Sequence, residues 1–139
     1  MKNYQHTFKV STPGRGMVDI TDPIADIVLE STIVTGVSHI FLHHTSASLI
    51  ICENADLDVQ GDMETFMHHL IPDGDPRYKH IAEGPDDMTA HVRTILTQSS
   101  LTIPVTKMHL NLGTWQGVFV WEHRLGPHER KVTVTIQGV

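Results

Sequence analysis

The segment His80-Ile81-Ala82-Glu83-Gly84-Pro85-Asp86-Asp87-Met88-Thr89-Ala90-His91 puts two histidines and three carboxylates within twelve residues. Imidazole and carboxylate together ligate metals or move protons near neutral pH. Pro85 behind Gly84 suits the first turn of a helix. On that helix Asp87 and His91 are four residues apart and share a face. The competing reading is an acidic first turn that complements the helix dipole, with His91 at the surface.

Three further clusters carry chemistry-bearing side chains. In His43-His44-Thr45-Ser46-Ala47-Ser48 the hydroxyls suit phosphate binding, because each can donate to a phosphate oxygen; the alternative is a polar strand end that satisfies its own backbone. His44 shares a strand face with apolar Ile40 and Leu42, so it needs a partner and is a better site candidate than His43. Ser46 lies outside any Gly-x-Ser-x-Gly elbow, which excludes that type of serine hydrolase. Glu53 to Asp62 is acidic, but its glycine and closing carboxylate are misplaced for an EF-hand, and Asn54 or Asp56 reads as a helix cap. In Leu112-Gly113-Thr114-Trp115-Gln116-Gly117, glycine permits close backbone approach; Trp115 could stack on a flat ring and Gln116 hydrogen-bond to it. A bulge or turn with Trp115 in the core is the alternative. Arg124 offers a fork that matches phosphate, or else pairs with Glu122 along one strand.

The elements that must position these residues follow from periodicity. Residues 4–10 read as a strand. Asp22-Pro23 opens a helix that Gly36 ends. Strands follow at 37–43 and 47–53, then a helix at 56–70 with Leu57, Met63, Phe66, Met67 and Leu70 as its apolar positions. A loop spans 71–79. A helix from Pro85 to about Gln98 buries Met88, Val92, Ile95 and Leu96. Strands follow at 101–106, 108–113, 117–124 and 130–137, the last alternating Val132, Val134 and Ile136 with polar neighbours. Without a regular βαβ rhythm this predicts an α+β fold with a largely antiparallel sheet and about three helices, in one domain over residues 1–139.

Composition narrows the partners. The chain has 139 residues, 40% hydrophobic and 19% charged, and a net charge of −6 with histidine neutral. That balance argues against general nucleic-acid binding. No apolar run approaches a membrane span and the N-terminal segment lacks a signal-peptide core, so no membrane partner and a cytoplasmic location are expected. Cys52, the only cysteine, reads as a small buried hydrophobe. Eleven histidines raise the expectation of a histidine-bearing site.

The chain resembles the YjbQ-like family, often described as secondary thiamine-phosphate synthases. The resemblance is carried by His44-Thr45-Ser46-Ala47, Glu53-Asn54-Ala55-Asp56, Asp62, His80, Glu83-Gly84-Pro85-Asp86-Asp87-Met88, Ala90-His91, Leu112-Gly113-Thr114-Trp115-Gln116-Gly117, Glu122-x-Arg124 and Gly138. It implies a compact α+β fold, a homotrimer and weak transferase activity. That activity joins a thiazole phosphate to a pyrimidine diphosphate and releases pyrophosphate. Loss of pyrophosphate requires charge neutralisation by metal or arginine. In this reading His80, Glu83, Asp87 and His91 are catalytic. Thr45, Ser46, Ser48, Trp115, Gln116 and Arg124 hold a phosphorylated small-molecule substrate. His44, His80 and His91 hold a divalent metal, zinc or magnesium. The alternative is a metal-dependent or small-ligand-binding protein without turnover. His109 stands where a small residue is expected, and would either enrich the pocket or sit outside it.

Overall fold

The computed structural model describes residues 1–139. The element order is β1 (Lys2–Thr12), β2 (Gly16–Asp19), α1 (Thr21–Glu30), β3 (Thr35–Leu42), β4 (Ala47–Glu53), α2 (Leu57–Leu70), α3 (Asp87–Ile95), β5 (Ser100–Thr106), β6 (His109–Leu110), β7 (Gln116–Glu122) and β8 (His128–Gly138). The strands form two antiparallel sheets. Five strands lie in the order β1-β8-β3-β5-β6 and three in the order β2-β7-β4. The expected antiparallel α+β architecture with three helices is therefore present, with its strands divided between two sheets.

Alternation builds the core. Val132, Val134 and Ile136 of β8 pack with Ile40 and Leu42 of β3 and Leu101, Ile103 and Val105 of β5. Leu49 of β4 with Val118 and Val120 of β7 face them from the second sheet, and Ile24, Ile27 and Val28 of α1 join the same cluster. Burying side chains of this size contributes about 1.5–3 kcal/mol each.

Four local expectations differ from the structure. α1 ends at Glu30, and Gly36 is a strand residue. A Cβ on Gly36 would lie 2.0 Å from the Gln137 carbonyl oxygen, so this close approach to β8 is what requires glycine. In α2 only Met67 is buried among the expected apolar positions; Leu57, Met63, Phe66 and Leu70 are exposed. The half-buried Gln60 and Glu64 and the buried Met67 and Ile71 instead share its inward side. α3 runs only from Asp87 to Ile95 and buries Asp87, Thr89, Ala90, Arg93 and Thr94, whereas Ile95 is 79% exposed. Its inward face is polar because partners meet it. Arg93 donates to Glu64 (2.6 Å) and to the Ile71 carbonyl (3.2 Å), and Thr89 to the Pro72 carbonyl. Finally, the strand expected at 108–113 shrinks to His109–Leu110. Lys107 and Met108, at φ 52° and 65°, form a two-residue turn between β5 and β6 of the kind that needs positive φ at both positions.

Candidate metal centre

Three side chains converge at the start of α3. His80, Asp87 and His91 each present a ligand atom, all within 4.8 Å of one another. Asp87 stands in the first helical turn and His91 one turn on, so helical geometry alone brings them to 3.2 Å (Asp87 Oδ2 to His91 Nε2). His80 arrives from the irregular segment 71–86 and places Nε2 2.6 Å from the same oxygen. Glu83 lies 3.5 Å from His80 Nε2 and is exposed. Two zinc ligands with bonds of about 2.05 Å at tetrahedral angles stand roughly 3.3 Å apart, close to the His91–Asp87 spacing.

Each ligand on the helix is oriented from behind. His91 Nδ1 donates to the Thr45 carbonyl at 2.8 Å. A carbonyl only accepts, so the proton of a neutral His91 sits on Nδ1 and its Nε2 lone pair points at the Asp87 carboxylate. That contact is repulsive unless a cation lies between the two or the ring is an imidazolium. A backbone carbonyl behind a histidine, with the opposite nitrogen free, is the arrangement that metal-ligating histidines use. Asp87 is fixed on its other oxygen by Arg124 Nη1 at 2.9 Å. Burial raises the Asp87 pKa, but the His80 and Glu83 bonds and the charges of His91 and Arg124 outweigh it, leaving Asp87 below the ordinary carboxylate range.

Each nitrogen of the Arg124 side chain meets an acceptor here. Nε donates to Asp86 (2.9 Å) and Nη2 to the Glu83 carbonyl (2.9 Å), and Nη1 forms an ion pair with Asp87 at 2.9 Å. It thus joins the centre, through carboxylates rather than as a free phosphate fork, while its expected partner Glu122 reaches only its backbone N–H. Asp86 also accepts from the Leu125 N–H, so it ties the segment to the end of β7 and does not cap α3. The other end of the segment is held by Arg15, which grips Asp73 at 2.6 and 2.8 Å and donates to the His123 carbonyl.

The remaining expected site residues are placed elsewhere in the chain. His44 stands outside the group of three, and its Nε2 accepts from the Lys131 N–H at 2.7 Å. Ser46 is buried and accepts from Arg130, whereas Thr45 is exposed. Ser48 is fully buried against His123 at 2.9 Å. Gln116 accepts from the Gly113 N–H, and Trp115 is 62% exposed. Trp115 and Gln116 sit at the start of β7 and Arg124 lies past its end. Seven strand residues separate these by about 20 Å. His109 lies beside α1, with its Nδ1 donating to the Lys107 carbonyl. Cys52 is buried, as its apolar neighbours predict.

Sequence reasoning missed Asp86 and Arg15 as anchors of the segment, and the buried pair Glu122–Arg130. For Arg130 a signal existed: by period two it falls on the inward face of β8, in line with Val132 and Val134.

The fold and centre define a class: a small α+β protein with two antiparallel sheets whose paired histidines and carboxylate meet at a helix start. The chain belongs to the YjbQ-like family, UPF0047, whose model matches residues 6–139. It is 45% identical over 137 residues to a UPF0047 protein of Synechocystis, covering 99% of this chain and 93% of that one. With the UPF0047 protein YjbQ of Escherichia coli O157:H7 it shares 40% identity, covering 97% and 98% of the two chains. A crystal structure from Sulfolobus solfataricus, of a protein of unknown function, superposes with a TM-score of 0.89 at 29% identity, covering 99% of both chains. One from Clostridium acetobutylicum gives 0.83 at 36% identity, covering 96% and 98%.

Proposed function

We propose that His80, Asp87 and His91 hold a divalent transition ion of the zinc type, and that this centre acts on a phosphorylated small molecule. One observation carries the reading: the His91 Nε2 lone pair, fixed by the Thr45 carbonyl, points at an ionised carboxylate 3.2 Å away. Two imidazoles and one carboxylate suit zinc and related ions, while magnesium prefers an all-oxygen shell. Such a set leaves coordination positions open for substrate. When bound, the ion would neutralise phosphate charge, while Arg124 is turned toward the Asp86 and Asp87 carboxylates. Glu83, exposed beside His80, is placed to take or give a proton.

The reaction that family resemblance points to is thiamine-phosphate formation, in which the leaving pyrophosphate needs such neutralisation. A homotrimer in the cytoplasm is part of the same proposal. It is supported by the resemblance and, for a reducing compartment, by the single free cysteine. No helix is long and apolar enough to cross a membrane.

Ligand binding without turnover is the second reading. It is favoured by the burial of Ser46 and Ser48 and by the distance of Trp115 from the centre, which together remove most expected substrate contacts. The test is metal analysis of purified protein, followed by assay of the two thiamine precursors before and after chelation. One zinc per chain and product lost on chelation are expected. Stoichiometric zinc without product selects the second reading, and full turnover in metal-free protein overturns the metal centre. Light scattering at monomer mass overturns the trimer.

A further inference from the structure

A hollow of about 510 Å³, lined by Phe41, Leu42, His43, His44, Thr45 and Ser99, shares Thr45 with the metal centre. Thr45 is the shared wall. Its carbonyl receives the His91 proton, and its hydroxyl has no partner within the chain. No carboxylate lines the hollow, in contrast to the centre with Glu83, Asp86 and Asp87. Lys131 brackets it through its backbone: its N–H donates to His44 and its carbonyl accepts from the His43 N–H.

The His44 tautomer follows from that first bond. A backbone amide can only donate, so His44 Nε2 is the acceptor and carries the lone pair. The neutral ring then keeps its proton on Nδ1, which has no partner within the chain. Partial burial and the charge of Arg130 hold the ring in this neutral form by pushing its pKa below the ordinary value. A neutral imidazole with one nitrogen pinned is a fixed N–H donor, an arrangement that serves oxyanions and polarised carbonyls in enzymes.

We propose that this hollow is a phosphate subsite, in which the Nδ1–H of His44 and the hydroxyls of Thr45 and Ser99 donate to the phosphate oxygens of the substrate. The subsite replaces Ser46 and Ser48, whose hydroxyls are buried and bonded within the fold, and Arg124, which is turned toward Asp86 and Asp87. For the part that this phosphate plays in a reaction, the proposal rests on the metal reading above. Phosphate binding itself depends on His44 and its neighbours alone.

Two substitutions separate this role from a structural one. Gln at position 44 can keep an acceptor for the Lys131 N–H and loses the donor into the hollow. Asn can keep a donor near the Nδ1 position and loses the acceptor. Inorganic phosphate is titrated into histidine-¹⁵N-labelled protein, metal-free and zinc-loaded, and followed by NMR. In both forms the His44 Nδ1–H signal is expected to move. His44→Gln should weaken phosphate by at least about tenfold, the order expected for losing a hydrogen bond to a charged group. His44→Asn should stay within about threefold of the parent; should it not fold, the Gln variant decides alone. Wild-type affinity in His44→Gln, or shifts confined to His80 and His91 of the zinc form, would overturn the subsite while leaving the metal centre standing. Phosphate shifts at His44 in a protein that takes up no zinc would do the reverse.

Discussion

Two clusters built from the same residue types meet at the end of β7. In the interior, Glu122 is buried with Arg130. Its oxygens accept from Thr12 Oγ1 (2.6 Å), Arg130 Nε (2.8 Å), Arg130 Nη2 and the Arg124 N–H (3.2 Å). Arg130 goes on to donate to Ser46. Burial raises the Glu122 pKa, but Arg130 and Thr12 outweigh it and hold the group below its ordinary value. Two residues away Arg124 meets Asp87, yet there one carboxylate oxygen faces two imidazoles, one of which has its proton committed elsewhere. The first cluster is closed by protein donors. The second is complete only with a cation or an extra proton. Residue type therefore does not distinguish a structural ion pair from a site. The balance of donors against acceptors does.

That contrast can be broken at either end. Arg130→Met should produce the largest change: it leaves a buried carboxylate without its cation, at about 3–5 kcal/mol. Denaturant unfolding checks this, and zinc stoichiometry of the folded fraction should not change. A loss under 1 kcal/mol would show that the interior pair is not the closed network described. His80→Ala should do the opposite. Its ring is on the surface, so stability should stay within about 0.5 kcal/mol. Zinc affinity should fall roughly 100-fold or more, at or beyond the top of the range for residues that only orient ligands. Competition with a chelator measures it, and unchanged affinity would remove His80 from the centre. Arg124→Gln loosens Asp87 without removing a ligand, so a fall of about tenfold in zinc affinity is expected in the same assay.

The smallest effect concerns His123. It is fully buried, and burial together with the charge of Arg93 pushes its pKa down to about 3. The unfolded chain takes up a proton near pH 6.5 that the folded chain refuses. Stability from this group is complete above pH 6.5 and is lost as pH falls toward 3. Between pH 7 and 5.5 metal-free protein should lose about 1 kcal/mol on this account, and His123→Gln should lose correspondingly less. Equal pH slopes in urea unfolding would show that His123 does not sense acid.

How much of this was legible in the chain depends on which face of each element is apolar. β8 reads directly, because Val132, Val134 and Ile136 alternate with Lys131, Thr133 and Thr135. α3 misleads, because its buried face carries Asp87, Arg93 and Thr94, and part of what satisfies them, Arg124, Glu64 and the Ala47 carbonyl, comes from segments distant in sequence. The cluster of His80, Asp87 and His91 was half visible. Asp87 and His91 are neighbours by helical spacing, so local geometry is enough. That His44 stays outside the group depends on the path of the chain between β3 and β4, which spacing does not encode. Trp115 and Arg124 are close in sequence yet lie at opposite ends of one strand, and nearness along an extended chain is a poor guide to nearness in space.

Strand β8 has a consequence for how the protein is made. It sits between β1 and β3 and pairs with both, its register with β1 running from Lys2↔Gly138 to Thr12↔His128. A strand in the middle of the larger sheet thus follows both of its partners along the chain. Until it emerges, β1 and β3 each carry an open edge and the inner faces of both sheets lack their main partner. Contacts this distant in sequence are slow to form, because the loop-closure entropy is lost before the pairing energy is gained. Folding of the larger sheet is therefore expected to be deferred until β8 has been made and then to be all-or-none. The nascent chain during that interval, more than the finished molecule, is the species that needs protection from aggregation.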